Sequence, residues 1–76
     1  MNLKNNIKKY RAQKNLSQRE LAEKAEVTPA YIALLETGDR ENPSTNILLK
    51  ISQALEVSVS KLLGLDETEP TQKEVV

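Results

Sequence analysis

Apolar residues recur along the chain at the three- and four-residue intervals of amphipathic helices. Leu3, Ile7 and Tyr10 form the first stripe and predict a helix over residues 2 to 14. Four further helices are predicted, each starting at a hydroxyl residue that can cap its first turn: Ser17, Thr28, Ser44 and Ser58. The pattern therefore predicts an all-α protein of five short helices.

Three of the junctions share one sequence pattern, written "NLS", "EVT" and "EVS". Each is a turn residue, an apolar residue and a hydroxyl cap, and another apolar residue follows four positions after the cap. Such a pair forms a hydrophobic staple, which fixes the angle at which the chain enters the helix. Three staples predict sharp corners and a compact globule. Glu26 and Glu56 stand where a left-handed backbone would favour glycine.

Composition removes most chemistry from consideration. The chain has 76 residues, no cysteine, no histidine and two glycines, so it suits one small domain without disulfides, common metal ligands or a glycine loop for phosphate. We therefore expect that the protein is not an enzyme and that it binds no cofactor or metal ion. No apolar run approaches the roughly 20 residues that span a bilayer, and the first ten residues lack a signal-peptide core. A cytoplasmic protein without a membrane partner is expected.

Charge is unevenly distributed although the net charge is zero. Residues 1 to 19 carry six basic and no acidic side chains, whereas residues 41 to 76 carry three basic and six acidic ones. The basic stretch indicates a polyanion partner, or simply a solvated helix face. Residues 66 to 76 lack periodicity and are predicted to be an acidic, disordered tail.

The segment "LSQRELAEKAEVTPAYIALLETGDRENPS" resembles the DNA-binding domain of the lambda-repressor and Cro-like family, also called the xenobiotic-response-element (XRE) family. The resemblance covers about residues 3 to 64. It rests on seven residues at the family's spacings, namely Gln18, Leu21, Ala22, Val27, Ile32, Leu35 and Glu36. It implies a five-helix helix-turn-helix domain over residues 1 to 65 and a dimeric, nucleoid-associated regulator of transcription, with repression favoured.

The resemblance places the third helix in the major groove of double-stranded DNA. Five residues of this helix are candidates for contact with the bases: Pro29, Ala30, Ala33, Leu34 and Thr37. All of them are apolar except Thr37. Three modes of readout remain open. The apolar side chains could pack on the methyl group of thymine, DNA shape could be recognised, or polar residues outside this apolar surface could read the bases.

Candidate phosphate contacts flank this helix: Ser17, Gln18, Arg19, Thr28, Tyr31, Arg40, Asn42 and Ser44. The resemblance assigns this role to Gln18 and Thr28. The hydroxyl residues among the candidates have a second, purely structural role as helix caps. Tyr31 could likewise be a half-buried packing residue with a solvated hydroxyl.

Two further predictions concern assembly. The family pairs residues at the positions of Arg11 and Glu36, so we expect an ion pair between the first and third helices.

A domain of this length has a radius of gyration of roughly 11 Å, so a monomer fills one half-site of an operator whose halves lie about 34 Å apart. A homodimer is therefore expected, with Val59, Leu62 and Leu65 as the apolar contact candidates.

A protein-interaction module is the alternative function. The apolar third helix could bind an unidentified regulatory protein, as an antitoxin or co-regulator would. Salt separates the two hypotheses, because binding to DNA phosphates weakens steeply as salt rises and an apolar protein interface responds little.

Overall fold

The computed structural model describes residues 3 to 65, and these residues contain five α-helices. The helices are α1 (Leu3–Gln13), α2 (Gln18–Ala25), α3 (Pro29–Thr37), α4 (Thr45–Leu55) and α5 (Val59–Leu62). The all-α prediction is confirmed, and each boundary lies within about two residues of its predicted place. The tail predicted at residues 66 to 76 lies outside the described residues.

The four predicted caps all form. The side-chain oxygen of each cap accepts the backbone N–H three residues later, as Ser17, Thr28, Ser44 and Ser58 show. At Ser17 the capping box is complete, because the Ser17 backbone N–H also donates to Glu20 Oε1 at 2.8 Å. These bonds satisfy backbone donors that the first turn of a helix leaves unused, so the helix starts follow from local sequence.

The three stapled corners have left-handed backbones. Asn15, Glu26 and Glu56 adopt φ values of 57°, 61° and 61°. The residue after each corner donates its backbone N–H to the carbonyl five residues earlier: Leu16 to Arg11 (3.0 Å), Val27 to Ala22 (2.9 Å) and Val57 to Ser52 (3.0 Å). This is the bond of a Schellman motif, which closes the preceding helix while the staple opens the next one.

Two of the corner residues also carry ion pairs. Lys50 Nζ on α4 lies 2.8 Å from Glu26 Oε1, and Lys14 donates to Glu56. Both glutamates are largely exposed, so each pair lies on the surface. The hydrogen bond from its lysine, followed by the attraction between the two charges, holds the pKa of each glutamate below its ordinary value.

The hydrophobic core lies between α1, α2 and α3 and is closed by α4 and α5. Its largest fully buried side chains come from all five helices: Ile7, Leu21, Ile32, Leu35, Ile51, Leu55 and Leu62. The helical spacing of Ile47, Leu48, Ile51, Ala54 and Leu55 predicts that all five face the core from α4. Ile51 and Leu55 are buried, whereas the other three are half-buried, so α4 turns a narrower face to the core than this spacing predicts.

Leu62 requires a correction. It was expected as a dimer contact, but its exposed fraction is 0%, so its side chain belongs to the core. The staple pattern accounts for this position, because Leu62 and the partly buried Val57, which flank the start of α5, both pack into the core. The Leu62 carbonyl also accepts a hydrogen bond of 3.0 Å from Nδ2 of the buried Asn6 on α1. Asn6 was not foreseen as a core residue.

Candidate nucleic-acid interface

α2 and α3 meet at the corner formed by residues 26 to 28, and α3 packs against both α2 and α1. Ile32 and Leu35 point into the core from α3, and Glu36 is buried beside them. Pro29 occupies the first helical position, where its missing N–H costs no hydrogen bond. One side of α3 is thus anchored, and the opposite side is available to a ligand.

The outer face of α3 is made of short, apolar side chains. Pro29 and Ala30 are exposed, Ala33 is half-buried, and Leu34 is 37% exposed. We use "the outer face" for these four residues together with Thr37. Leu34 is one of three large apolar side chains exposed among residues 3 to 65; the others, Leu49 and Leu65, lie on α4 and after α5.

Thr37 is the polar member of the outer face, and other residues of the chain engage its hydroxyl. Thr37 Oγ1 lies 3.1 Å from the Leu34 carbonyl and 3.0 Å from Asp39 Oδ2, which are both acceptors for its proton. It also accepts the Asp39 backbone N–H at 3.3 Å. The hydroxyl therefore helps to end α3. Sequence reasoning missed Asp39, although an acidic residue two positions after a threonine at a helix end is a recognisable local pattern.

Arg11 and Glu36 form the ion pair that the resemblance implies. Arg11 Nε donates to Glu36 Oε2 at 2.7 Å, and Arg11 Nη2 donates to Glu36 Oε1 at 3.0 Å. A third donor, Arg11 Nη1, reaches the Leu16 carbonyl at 2.9 Å. The hydrogen bond to Glu36 raises the pKa of Arg11, with burial opposing it, so the guanidinium remains charged.

Gln18 joins this pair. Its Nε2 donates to Glu36 Oε1 at 3.0 Å, and the residue is half-buried at the start of α2. One N–H of the amide is therefore used inside the protein. A primary amide has a second N–H, and the bond to Glu36 fixes the direction in which it points.

The cap hydroxyls keep a donor for a ligand. Ser17, Thr28 and Ser44 each accept one backbone N–H through the side-chain oxygen, and each is exposed. Because a hydroxyl has one donor as well as its acceptor lone pairs, the capping oxygen can still donate its proton to a phosphate. The structural and binding roles of these three residues are therefore compatible.

The remaining phosphate candidates are spread over α2, α3 and the loop that follows α3. Arg19, Arg40 and Asn42 are exposed. The Arg40 guanidinium carbon lies 5.9 Å from the centre of the half-buried Tyr31 ring, so the Arg40 side chain reaches from the loop after α3 back toward the first turn of that helix. Tyr31 and Arg40 are brought together although nine positions separate them in the sequence.

The remaining dimer candidates behave differently from Leu62. Val59 is half-buried, and Leu65 is 66% exposed at the end of the described chain. Within residues 3 to 65, no cluster of acidic, histidine or cysteine side chains is arranged to bind a metal ion. In the same part of the chain, no helix has the length and apolar character needed to cross a membrane.

The five helices, the α2–α3 corner and the anchored α3 with its exposed outer face define a helix-turn-helix domain. Comparison with known families agrees with this class. The chain belongs to the helix-turn-helix family, whose model matches residues 7 to 62. That family groups DNA-binding regulators of transcription and is not a class of enzymes.

Among curated proteins, the chain is 48% identical over 64 residues to the HTH-type transcriptional regulator SinR of Bacillus licheniformis. The match covers 83% of this chain and 58% of that protein, so the chain spans less than two thirds of the relative. The chain is also 46% identical over 66 residues to SinR of Bacillus subtilis. This match covers 87% of the chain and 58% of SinR.

Among solved structures, the chain is similar to SinR, the master regulator for biofilm formation, crystallised in complex with DNA. The TM-score is 0.77 at 44% identity, and the match covers 80% of this chain and 97% of that one. The structure of a SinR and SinI protein complex gives the same TM-score at 42% identity, covering 95% of this chain and 68% of the other.

Proposed function

We propose that this chain binds double-stranded DNA with α3 in the major groove and regulates transcription, with repression as the favoured outcome. The observation that carries the proposal is the orientation of α3, whose one side is anchored by Ile32, Leu35 and Glu36 while its outer face is exposed. An exposed, rigidly held second helix is the part of a helix-turn-helix that enters the groove. SinR, a similar protein, has been crystallised with DNA.

The residues around the outer face supply the contacts to the backbone of DNA. Exposed cap hydroxyls can donate to phosphates, and the positive end of the α3 dipole favours negative charge nearby. Arg40, held against Tyr31, provides a cation at the loop. We assign phosphate contacts to Ser17, Gln18, Arg19, Thr28, Tyr31, Arg40, Asn42 and Ser44 on these grounds. Such contacts fix position and orientation without identifying a base.

We also propose that a homodimer binds an operator with two half-sites. One copy of α3 occupies one groove segment, and half-sites on one face of DNA lie about 34 Å apart. Leu65, which is 66% exposed, and Val59 remain the contact candidates within residues 3 to 65. Residues 1 to 65 form the DNA-binding domain in this proposal, and a DNA-bound regulator would reside in the cytoplasm at the nucleoid.

The test is selection of bound duplexes from a random library at two salt concentrations, followed by titration of the winning sequence. A DNA-binding domain should enrich a paired motif, and its affinity should fall with a log–log slope near −0.9 for each neutralised phosphate. Scrambled duplex of equal length is the control for non-specific binding. Failure to enrich any motif, together with salt-independent binding, would exclude the proposal.

A protein-interaction module remains the second candidate, because the outer face is apolar and SinR, a similar protein, also forms a complex with SinI. An apolar contact would be nearly indifferent to salt, and double-stranded DNA would not compete with the partner. The salt titration therefore separates the two functions with the same protein preparation.

A further inference from the structure

We infer that α3 recognises thymine through the C5-methyl group, with Ala30, Ala33 and Leu34 as the contacting side chains, and that no side chain of the outer face reads a base by hydrogen bonding. This inference rests on the proposed DNA-binding function and specifies how that function selects sequence. The outer face, as defined above, is the surface concerned.

The hydrogen-bonding capacity of the outer face supports this inference. Pro29, Ala30, Ala33 and Leu34 have no polar atom in their side chains. Thr37 has a hydroxyl, but its oxygen lies within hydrogen-bond distance of two acceptors, the Leu34 carbonyl and Asp39 Oδ2, and it accepts the Asp39 N–H. Breaking these bonds to reach a base would expose the end of α3, so Thr37 is a poor reader.

The chemistry of the DNA major groove favours one contact for the apolar side chains of the outer face. Donors and acceptors line the major-groove edges of all four bases, and the C5-methyl group of thymine is the one alkyl group among them. An apolar side chain pressed against a donor or acceptor removes its water without replacing the bond, which is costly. The same side chain against a methyl group buries apolar surface, which is favourable.

The spacing of the three side chains fits consecutive base pairs. Residues 30, 33 and 34 occupy one side of a helix because they are three and four positions apart. With a rise of about 1.5 Å per residue, they span roughly 6 Å along α3. Neighbouring nucleotides are about 3.4 Å apart, so this length corresponds to nearly two nucleotide steps. The outer face can therefore cover two or three adjacent base pairs. Alanine side chains also allow the helix backbone to approach the groove closely.

The test uses the operator found by library selection. Each thymine in the half-site is replaced in turn by deoxyuridine, which removes the methyl group and leaves base pairing unchanged. We expect about a fourfold loss of affinity at each contacted thymine, the factor that corresponds to one buried methyl group at about 0.8 kcal/mol. Thymines outside the contacted pairs should show no difference.

Two variants assign the contact. Leu34→Ala should abolish the difference between thymine and deoxyuridine at one position and leave it unchanged at the thymines covered by the alanines. Leu49→Ala is the matched control, because Leu49 is similarly exposed, at 45% against 37% for Leu34, but lies on α4. It should change none of the differences. Circular dichroism checks that both variants are folded.

The outcomes separate the inference from the function on which it rests. Methyl-dependent binding that Leu34→Ala alters at one position supports both. Salt-dependent, sequence-specific binding with equal affinity for thymine and deoxyuridine at every position overturns methyl recognition and leaves DNA binding intact. A methyl effect that Leu34→Ala leaves unaltered at all positions overturns the assignment to Leu34. Absence of binding to any duplex overturns the proposed function and the inference together.

Discussion

Arg11 on α1 and Glu36 on α3 are joined by two hydrogen bonds, of 2.7 and 3.0 Å, between the guanidinium and the two carboxylate oxygens. The Glu36 side chain is 4% exposed and that of Arg11 is 21% exposed, so the pair is largely removed from solvent. Gln18 on α2 donates to the same carboxylate. One acidic group on α3 therefore links three helices.

Replacing Glu36 with alanine should destabilise the domain severely. The substitution leaves the Arg11 guanidinium and the Gln18 amide, both half-buried, without their shared acceptor, at a cost of up to about 3–5 kcal/mol. A domain of this size has a total stability of roughly 4–11 kcal/mol. We expect the melting temperature to fall by more than about 10 °C, measured by circular dichroism.

The double variant Arg11→Met with Glu36→Met is the control for this prediction. It removes both charges and keeps apolar volume, so it should be more stable than Glu36→Ala. An unchanged melting temperature for Glu36→Ala would show that the pair contributes nothing to the attachment of α3.

Replacing Glu26 with glycine should stabilise the protein. Glu26 has a φ of 61°, a left-handed conformation that glycine adopts without the steric cost of a Cβ. The gain opposes the loss of the surface ion pair with Lys50, which salt weakens. We expect the melting temperature to rise by about 2–6 °C in 0.5 M salt, because relief of the left-handed strain exceeds the backbone entropy that glycine gains in the unfolded chain.

Glu26→Gln is the matched variant, because it removes the charge and retains the left-handed Cβ. The difference between the glycine and glutamine variants isolates the backbone term from the ion pair. A glycine variant that melts no higher than the glutamine variant would contradict the strain argument.

Stability should decrease in acid because of the two corner glutamates. The pKa values of Glu26 and Glu56 are lower in the folded protein than their ordinary value of 4.5, so the unfolded chain takes up protons first. Their contribution is complete above the ordinary value and is lost as the pH falls through the folded-state values. The double variant Glu26→Gln with Glu56→Gln should therefore lose less stability than the parent between pH 7 and pH 3.

Glu23→Gln serves as the control for the acid effect, since Glu23 is an exposed glutamate of α2 without an ion-pair partner among residues 3 to 65. Its profile should follow that of the parent. If the double variant also follows the parent profile, the corner ion pairs do not contribute to acid sensitivity.

Replacing Arg40 with glutamine should weaken DNA binding equally for specific and scrambled duplexes. A phosphate contact carries no sequence information, and its loss should make the salt dependence shallower by about 0.9 per site. Lys61→Gln, an equivalent charge change at an exposed residue of α5, is the control and should leave the slope unaltered. A loss confined to the specific duplex would instead indicate that Arg40 reads a base.

Replacing Asn6 with alanine should loosen α5. The buried amide donates to the Leu62 carbonyl, and its removal leaves that buried acceptor unsatisfied, at a cost of about 1–3 kcal/mol. Amide hydrogen exchange should show faster exchange in Val59–Leu62 than the global loss of stability accounts for. Equal acceleration throughout the protein would argue that Asn6 supports the core in general.

Local sequence determined the helices and their corners. The caps at Ser17, Thr28, Ser44 and Ser58 and the left-handed residues between helices depend on atoms within about five positions of one another, so the pattern of hydroxyl, apolar and turn residues predicts them. The same holds for the apolar composition of the outer face, which follows from the identity of residues 29 to 34 and their helical spacing.

Tertiary structure decided which side chains stay exposed and which polar groups are bonded within the protein. Leu62 and Leu65 look alike in sequence, but packing against α1 buries one and leaves the other exposed. Contacts between distant positions also committed the Gln18 amide to Glu36 and placed Asn6 against Leu62, because such contacts depend on how the helices pack and not on local spacing. Burial and partner choice are properties of the packed helices, and a linear pattern specifies them only in part.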